Sequence, residues 1–530
     1  MTRWTEPRPS RVTELDSTPP RRRSSYRTVA CALLFAGLAV RIPHLDAPPD
    51  NFGSMRQYHV QLLARHFHTE GSIDDATGRA DEGETADADR ANLDTVGVLE
   101  APMIPVVSAA VFRVTGAESW WAPRLVSIVA WLTGAALLMA FVRELLRSDA
   151  AALLAGAVML FLPFTIIISR SIQPDALMLA TTIGAWRSAL LAYRRPGWKP
   201  LSIAATWSAA AVLTKGWSLF MVVPVVVAIW AGEVPGSTDG VRRAIRRAIR
   251  DRRLQLLLAA AAVPGVAYYG AGLLGAGLLR GQLGGSFVAS LFTTWWFWSG
   301  WITQVTSVIG LLGLTLLLAV AYRLDRSPIR TVVQAGLAGY VVSALIANYR
   351  TASHTYYALP LVALLALAVG AAGEQALSSA RTRQWPTGRA NAVLVCGLLA
   401  VLLATPLWPS YTSETSPHDV VLARELGDAV GHSTDVVIFT PNYGMQLRYD
   451  GRLAGVNWPL NDDLALMELN GDPVASASER LDDLRREGLR WFVSTQFPMP
   501  AEYRDVADAL SRFERIPTSD GAVWDLARQP

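Results

Sequence analysis

The stretch that decides the fold is AAAVLTKGWSLFMVV, residues 209–223, in which two apolar runs meet at Lys215. Each run has the composition of a membrane-spanning helix, so the lysine falls where one span would end and the next begin. The chain has 48 basic residues, and only Lys199 and Lys215 are lysines. A compact ammonium group at this position therefore indicates either a functional cation or a side chain that snorkels to the lipid headgroups.

The composition of the whole chain indicates a membrane protein. Hydrophobic residues make up 51% of the 530 residues and charged residues 17%. The apolar residues occur in runs long enough to cross a bilayer as helices, which predicts a polytopic α-helical membrane protein. About eleven spans are predicted, at 28–45, 121–142, 150–169, 175–193, 200–214, 216–232, 254–279, 300–322, 331–349, 356–375 and 391–410.

Basic residues cluster in alternate connections between the predicted spans. One set of connections carries several cations each, including seven arginines in VRRAIRRAIRDRR at 241–253. The other short connections carry a single cation each, at Arg170, Lys215, Arg280 and Arg350. Short cytoplasmic loops hold most of the basic residues of a membrane protein. We therefore expect a cytoplasmic tail over 1–27, a transmembrane domain over 28–410 and an extracytoplasmic C-terminus, in the plasma (inner) membrane.

Two large segments fall on the predicted outer side. The loop at 46–120 contains MRQYHVQLLARHF, which has the apolar spacing of an interfacial helix, and an acidic stretch at 71–95 whose composition predicts a flexible insert. The tail at 411–530 alternates helix-like and strand-like stretches, which predicts a soluble α/β domain. The tail has neither a GxGxxG nor a P-loop motif, so we assign it no nucleotide.

Short motifs in the predicted membrane domain resemble those of a known enzyme superfamily. They are RQYHVQLLAR at 56–65, Glu100 to Pro102, GAESWWAPRL at 116–125, SRSIQPDALML at 169–179, LTKG at 213–216 and HTYYALPL at 354–361. In order and spacing they resemble the GT-C integral-membrane glycosyltransferases, in the branch of the protein O-mannosyltransferases and the lipid A aminoarabinose transferases. The resemblance covers most of residues 28–375.

The resemblance implies a GT-C-like fold and a transfer reaction on the outer face. A sugar would move from a polyprenyl-phosphate carrier to a lipid, glycan or protein acceptor, with inversion at the sugar. The expected partners are therefore the carrier-linked sugar, its acceptor and the membrane lipids, with no nucleic acid.

The carrier phosphate needs cations and hydrogen-bond donors where the lipid headgroup enters. Lys215 is the first candidate, because its ammonium acts as a compact point charge toward phosphate. Arg56 and Arg170 are further candidate cations, with interfacial anchoring as the alternative. The remaining candidate phosphate-binding residues are His354, Tyr356 and Tyr357, for which an aromatic belt at the interface is the alternative.

The acceptor hydroxyl needs a base, which a carboxylate can supply. In the resembled family this base is an acid just after the first span, usually in an Asp-Glu pair, but here Arg56 and Gln57 stand at the matching positions. The candidate catalytic acids are therefore Asp50, Glu100 and Asp175. Asp50 is alternatively a turn residue, and Asp175 a first-turn acid that stabilises its helix.

A divalent metal ion is a possible cofactor, because some members of the resembled superfamily use one. The candidate ligands are His59, His66 and His68, although their spacing is not a metal-binding signature.

Two other functions fit parts of the sequence. A lipid-carrier transporter or flippase would use the same cations, but apart from Arg187 the predicted spans hold almost no charge in their interiors. A catalytically inactive scaffold for envelope assembly would explain the missing acidic pair.

Overall fold

The computed structural model describes residues 21–49, 52–69, 85–98, 100–232, 238–274, 287–323, 327–404 and 417–528. Each of the eleven apolar runs contains an α-helix. The helices before the C-terminal region are α1 (Arg21–Ala39), α2 (Ser54–Thr69), α3 (Ala86–Val96), α4 (Met103–Thr115), α5 (Trp121–Leu146), α6 (Asp149–Phe161), α7 (Pro163–Arg170), α8 (Asp175–Arg194), α9 (Trp198–Thr214), α10 (Leu219–Ala231), α11 (Thr238–Ile249), α12 (Arg252–Leu274), α13 (Trp295–Arg323), α14 (Pro328–Ile346), α15 (Asn348–Ser353), α16 (Pro360–Thr382) and α17 (Thr387–Leu403).

Several of these helices are long and apolar enough to span a membrane. Among the described residues, five candidate spans meet both criteria, and the bent pair α6–α7 makes a sixth if it is a single span. Shorter apolar helices such as α1, α10 and α17 occupy other predicted spans. The chain therefore has a multi-pass helical membrane architecture, while a total of eleven crossings stays a prediction. Residues 361–368 of α16 are all buried, so α16 lies at the centre of the bundle.

The bend between α6 and α7 is caused by Pro163 and stabilised by a buried arginine. Pro163 has no N–H to donate and is the first residue of α7, and the two helices meet at 61°. Arg41, at the end of α1, is fully buried and donates to the carbonyls of Leu160 and Thr165 on either side of the break. The bond to Leu160 satisfies a carbonyl near the end of α6 that the break leaves open, as burial away from water requires.

The predicted outer loop is more ordered than its sequence indicates. The prediction of a flexible insert over 71–95 is wrong for its last part, because residues 86–95 belong to α3. The side chain of Asn92 on α3 is buried and donates to the carbonyl of Leu453 in the C-terminal region. This tertiary contact explains why an acidic stretch with few apolar residues is helical.

Residues 417–528 form an α/β unit around a five-stranded sheet. Its helices are α18 (Pro417–Ala429), α19 (Met445–Asp450), α20 (Asn461–Asn470), α21 (Ala477–Arg486) and α22 (Arg504–Leu510), and its strands are β1 (Val436–Phe439), β2 (Gly455–Asn457), β3 (Trp491–Ser494), β4 (Glu514–Pro517) and β5 (Ala522–Asp525). The strand order is β2-β1-β3-β5-β4. The pairs β1–β2 and β1–β3 are parallel, and β3–β5 and β4–β5 are antiparallel.

The sheet of this unit is covered on both faces. Val437 and Phe492 pack into a cluster on one face, and Val436 and Val493 pack into a separate cluster on the other. Neighbouring residues of one strand point to opposite faces, so continuous apolar strands such as VVIF need cover on both sides.

The α/β unit is joined to the outer loop through a buried ionic cluster. Arg65 of α2 pairs with Glu118 at 2.8 Å and donates to the carbonyl of Tyr449 at 2.8 Å. The Tyr449 hydroxyl donates to the same Glu118 carboxylate at 2.7 Å, and the Arg65 guanidinium lies 3.9 Å from the centre of the Tyr449 ring. The C-terminal unit is thereby fixed against the helix that carries Arg56.

Candidate active site

A cavity of about 330 Å³ opens at the end of the bundle where α8 begins and α9 ends. It brings together residues that are far apart in the sequence, from α2, the α9–α10 connection, α12 and the segment before α16. Its polar lining residues are Arg56, Glu100, Lys215, Tyr269, Arg350, His354, Tyr356 and Tyr357. Five of the predicted phosphate-binding residues and one predicted acid therefore line a single cavity.

Lys215 lies at the floor of this cavity in an ion pair with Asp175. The Lys215 Nζ is 2.8 Å from Asp175 Oδ1, and the two side chains are 8% and 2% exposed. Asp175 is the first residue of α8, where its carboxylate also complements the positive end of the helix dipole. Asp175 does not line the large cavity but a smaller one behind Lys215. The geometry therefore makes Asp175 the anchor of the lysine.

The two tyrosines before α16 surround the Lys215 ammonium. Its Nζ lies 4.7 Å from the ring centre of Tyr356 and 5.6 Å from that of Tyr357, within cation–π range. His354 packs edge-on against Tyr356 with ring centres 5.4 Å apart. All three residues line the cavity, so HTYYALPL forms one wall of it.

Arg56 and Glu100 form the opposite wall. One Arg56 nitrogen lies 2.6 Å and 2.9 Å from the two Glu100 oxygens. Arg56 is on α2 and Glu100 lies three residues before α4, so the pair joins two of the three helices of the outer loop. The basic residue that stands where the resembled family has an acid therefore faces the cavity as a cation.

The backbone around Lys215 explains how a lysine reaches the cavity from between two apolar helices. α9 ends at Thr214, Lys215 is extended with φ −158° and ψ 116°, and Gly216–Ser218 form a 3₁₀ turn that leads into α10. A Cβ on Gly216 would lie 3.2 Å from the Tyr269 ring, and the Gly216 N–H donates to the Tyr269 hydroxyl. Glycine therefore permits the close contact of this turn with the Tyr269 ring on α12.

The other predicted site residues do not join this group. Asp50 lies outside the described residues. Arg170 donates to the carbonyl of Pro43 and is not among the residues that line the cavity.

The three histidines proposed as metal ligands do not converge. The Nε2 of His59 is bonded to the carbonyl of Gly97 at 2.9 Å, His66 packs against Phe67, and His68 packs against Phe112. Burial and the nearby charge of Arg56 lower the pKa of His59 to about 4, so its imidazole is neutral near pH 7. Within the described ranges, no group of three or more His, Cys, Asp and Glu side chains has the arrangement of a metal site.

Two polar residues of the cavity lining, Arg350 and Tyr269, were not predicted from the sequence as site candidates. Arg350 appears in the sequence only as a single cation in an outer connection, and Tyr269 only as part of an apolar run. In the described part of the chain Arg350 has no ion pair, although Arg56 and Lys215 each have one. Arg350 is therefore the uncompensated cation of the cavity, because Arg56 is paired with Glu100 in the lining and Lys215 with Asp175 behind it.

Comparisons with known proteins agree with this arrangement. The family model described as dolichyl-phosphate-mannose-protein mannosyltransferase matches residues 99–236, which include Glu100, Asp175 and Lys215. The crystal structure of ArnT from Cupriavidus metallidurans bound to undecaprenyl phosphate aligns with a TM-score of 0.51 and 14% identity, over 96% of this chain and 98% of that chain. This chain has the GT-C fold.

A second solved structure also aligns with this chain. The oligosaccharyltransferase of Archaeoglobus fulgidus, crystallised with Zn and sulfate, aligns with a TM-score of 0.51 and 13% identity, over 94% of this chain and 73% of that chain. No curated protein sequence matches the chain. At these identities the solved structures show the shared GT-C fold.

Proposed function

We propose that this chain is a membrane glycosyltransferase that moves a sugar from a polyprenyl-phosphate carrier to an acceptor hydroxyl. The observation that carries the proposal is the meeting of Arg56, Lys215 and Arg350 with one lining carboxylate, Glu100, in a cavity of about 330 Å³. Further support comes from the partial match to the mannosyltransferase family model and from the undecaprenyl phosphate bound by the ArnT of the same fold.

The charge of the cavity suits the donor and the product of this reaction. Counting Asp175, which neutralises Lys215 from behind, three cations face two carboxylates, for a net charge of +1. A carrier-linked sugar is a phosphodiester with one negative charge, and the released carrier phosphate carries more. Fixed cations aimed at charge that grows in the transition state favour the transfer step.

We assign the base to Glu100 and a positioning role to Asp175. Both acids are paired with a cation, but the Glu100 side chain lines the cavity and is 17% exposed, whereas that of Asp175 is 2% exposed. In the proposed step the acceptor oxygen attacks the anomeric carbon, its proton passes to Glu100, and the bond from that carbon to the phosphate oxygen breaks. The electron pair stays on the leaving carrier phosphate beside Lys215 and Arg350. A single displacement inverts the configuration at the sugar.

The transporter alternative has less support than the transferase. Arg187, the charge noted within the predicted spans, is paired with Glu144 at 2.7 Å, near the end of α8 that is remote from the cavity. The pair therefore gives no polar connection from the cavity through the bundle.

The test is transfer of radiolabelled sugar from polyprenyl phosphate in membranes that contain Glu100→Gln. Loss of a general base lowers rates by roughly 10²- to 10⁴-fold, so we expect a fall of that size with donor binding retained. The matched control is Glu487→Gln, an exposed acid at the end of α21 that is remote in sequence from every lining residue. Normal transfer by Glu100→Gln would contradict the assignment of the base, and no transfer by the unaltered chain with any donor would contradict the function.

A further inference from the structure

A second cavity, of about 480 Å³, opens at the end of the bundle remote from the candidate active site. It lies between the start of α1, the turn from α5 to α6, and the last part of α8. We call it the distal cavity. Besides Ala140, its lining residues are Tyr26, Arg143, Glu144, Arg147, Asp149 and Arg187.

The charged groups of the distal cavity leave one cation uncompensated. Arg143 pairs with Asp149 at 2.6 Å, and Arg187 pairs with Glu144 at 2.7 Å. Arg147 follows the last residue of α5, is exposed, and forms no ion pair with any residue that the structure describes. The net charge of the lining is therefore +1, which favours a ligand that presents an anionic group to Arg147.

The lining also contains one donor atom and one acceptor atom that lack partners. Arg187 Nε and Glu144 Oε2 are both buried, and neither has a hydrogen-bond partner within the described protein. Burying such atoms without a partner costs free energy, so a bound molecule or water is needed to satisfy them. A ligand that satisfies both must accept one hydrogen bond and donate another.

The guanidinium of Arg143 packs against an aromatic ring. It lies 4.4 Å from the ring centre of Tyr26 on α1, while its Nε bonds to Asp149 on α6. The position of this cation is thereby set by two different helices. The distal cavity is thus a charged site shaped by tertiary packing.

We propose that the distal cavity binds the headgroup of a phospholipid from the leaflet remote from the candidate active site. The phosphodiester, a monoanion, lies against Arg147 and Arg187, and a hydroxyl or ammonium of the headgroup donates to Glu144. This pairing selects phosphatidylglycerol and phosphatidylethanolamine over phosphatidylcholine, because the choline group has no N–H or O–H to donate.

The bound lipid would contact the same helix that anchors the candidate active site. Arg187 and Asp175 both lie on α8, and twelve residues of helix correspond to about 18 Å. The two sites are therefore separate in space, and a lipid in the distal cavity does not touch the sugar donor.

The test is native mass spectrometry of the full chain in detergent, titrated with phosphatidylglycerol, phosphatidylethanolamine or phosphatidylcholine that have identical acyl chains. We expect the first two lipids to bind at about tenfold lower concentration than the third. Arg147→Ala should raise the concentration needed to bind all three lipids by about tenfold, because each lipid presents the same phosphodiester to the uncompensated cation. The exposed position of Arg147 leaves the fold intact. The matched control is Arg195→Ala, an exposed arginine after the end of α8 that does not line the cavity.

Three results would overturn the proposal. Equal binding of all three lipids would remove the role of Glu144. Equal lipid affinity of the Arg147→Ala and Arg195→Ala variants would remove the role of the cation. Displacement of the lipid by millimolar inorganic phosphate would assign the cavity to a free anion.

Discussion

Lys215 and Asp175 form an ion pair that joins the turn after α9 to the first residue of α8. Nζ and Oδ1 are 2.8 Å apart, and the carboxylate is less exposed than the ammonium, at 2% against 8%. The pair therefore presents only its cationic side to the candidate active site. An ion pair of this kind has both a structural and an electrostatic role, and the two can be separated by substitution.

Replacing both members of this pair with apolar residues should restore stability without restoring activity. Removing one member leaves a buried charge unpaired, and we expect Lys215→Met or Asp175→Leu to cost about 3–5 kcal/mol in free energy of unfolding. The double variant should recover most of that loss, because no isolated charge remains. Thermal unfolding in detergent measures stability, and sugar transfer measures activity. Recovery of transfer in the double variant would contradict a role for Lys215 in donor binding.

Asp175→Asn should affect donor binding more than the rate of transfer. The amide still fits the site but no longer compensates the charge of Lys215, so the ammonium loses its fixed position. We expect the KM for the polyprenyl-phosphate sugar to rise about tenfold, with a smaller change in kcat. A loss confined to kcat would instead identify Asp175 as the base in place of Glu100.

Arg350→Gln should weaken donor binding more than a comparable change elsewhere on the surface. Arg350 is the cation of the cavity without an ion pair in the described chain, and a charge-assisted bond to phosphate is stronger than a neutral one. We expect at least a tenfold rise in KM for the donor. The control is Arg383→Gln, an exposed arginine after the end of α16. Equal effects of the two substitutions would remove Arg350 from the donor site.

The junction between α2 and the α/β unit should loosen in acid. Burial opposes ionisation of Glu118, but Arg65 outweighs it and holds the Glu118 pKa below its ordinary value of 4.5. A lowered folded-state pKa stabilises the junction above about pH 4.5, and this stabilisation is lost as the pH falls through the folded-state value. The protection factors of α2 amides against hydrogen exchange should therefore fall below that pH.

A second acid in the same cluster has the opposite pH dependence. Burial raises the pKa of Asp89, so its protonation in acid partly offsets the loss from Glu118. The comparison that isolates Glu118 is the Glu118→Gln variant, whose α2 amides should have lower protection factors at neutral pH and little further loss of protection in acid. An unchanged acid response in this variant would contradict the assignment to Glu118.

Close packing of α10 against α14 depends on Gly339. A Cβ at this position would lie 1.8 Å from the carbonyl oxygen of Phe220, which is backbone and cannot move aside. Gly339→Ala should therefore lower the free energy of unfolding by about 1–3 kcal/mol. Gly397→Ala on α17 is the control, because its Cβ would meet nothing within 4 Å. Similar melting temperatures for the two variants would mean that the helices are farther apart.

The helices and the floor of the site follow from local sequence, and several other features do not. Apolar runs of sufficient length predict helices because backbone hydrogen bonds must be made within the segment in a membrane. Lys215 stands out because a cation between two such runs is costly. The bend at Pro163 and its satisfaction by Arg41 require contacts between distant segments, which periodicity does not contain.

Arg350 and α3 show why the remaining features could not be predicted. Arg350 resembles the other single cations of the outer connections, and only the fold separates it from Arg170, which bonds to the carbonyl of Pro43. α3 has an acidic composition, and its helix is stabilised by Asn92 and Asp89 in contacts with the C-terminal unit and α2. Both outcomes depend on contacts with other elements of the fold, and some of these partners are hundreds of residues away in the sequence.

The most direct test of the central claim is a cryo-electron microscopy map of the full chain with undecaprenyl phosphate. The account predicts phosphate density in the cavity of about 330 Å³, within hydrogen-bonding distance of Lys215 and Arg350. Phosphate density elsewhere, with Lys215 still bound only to Asp175, would contradict it.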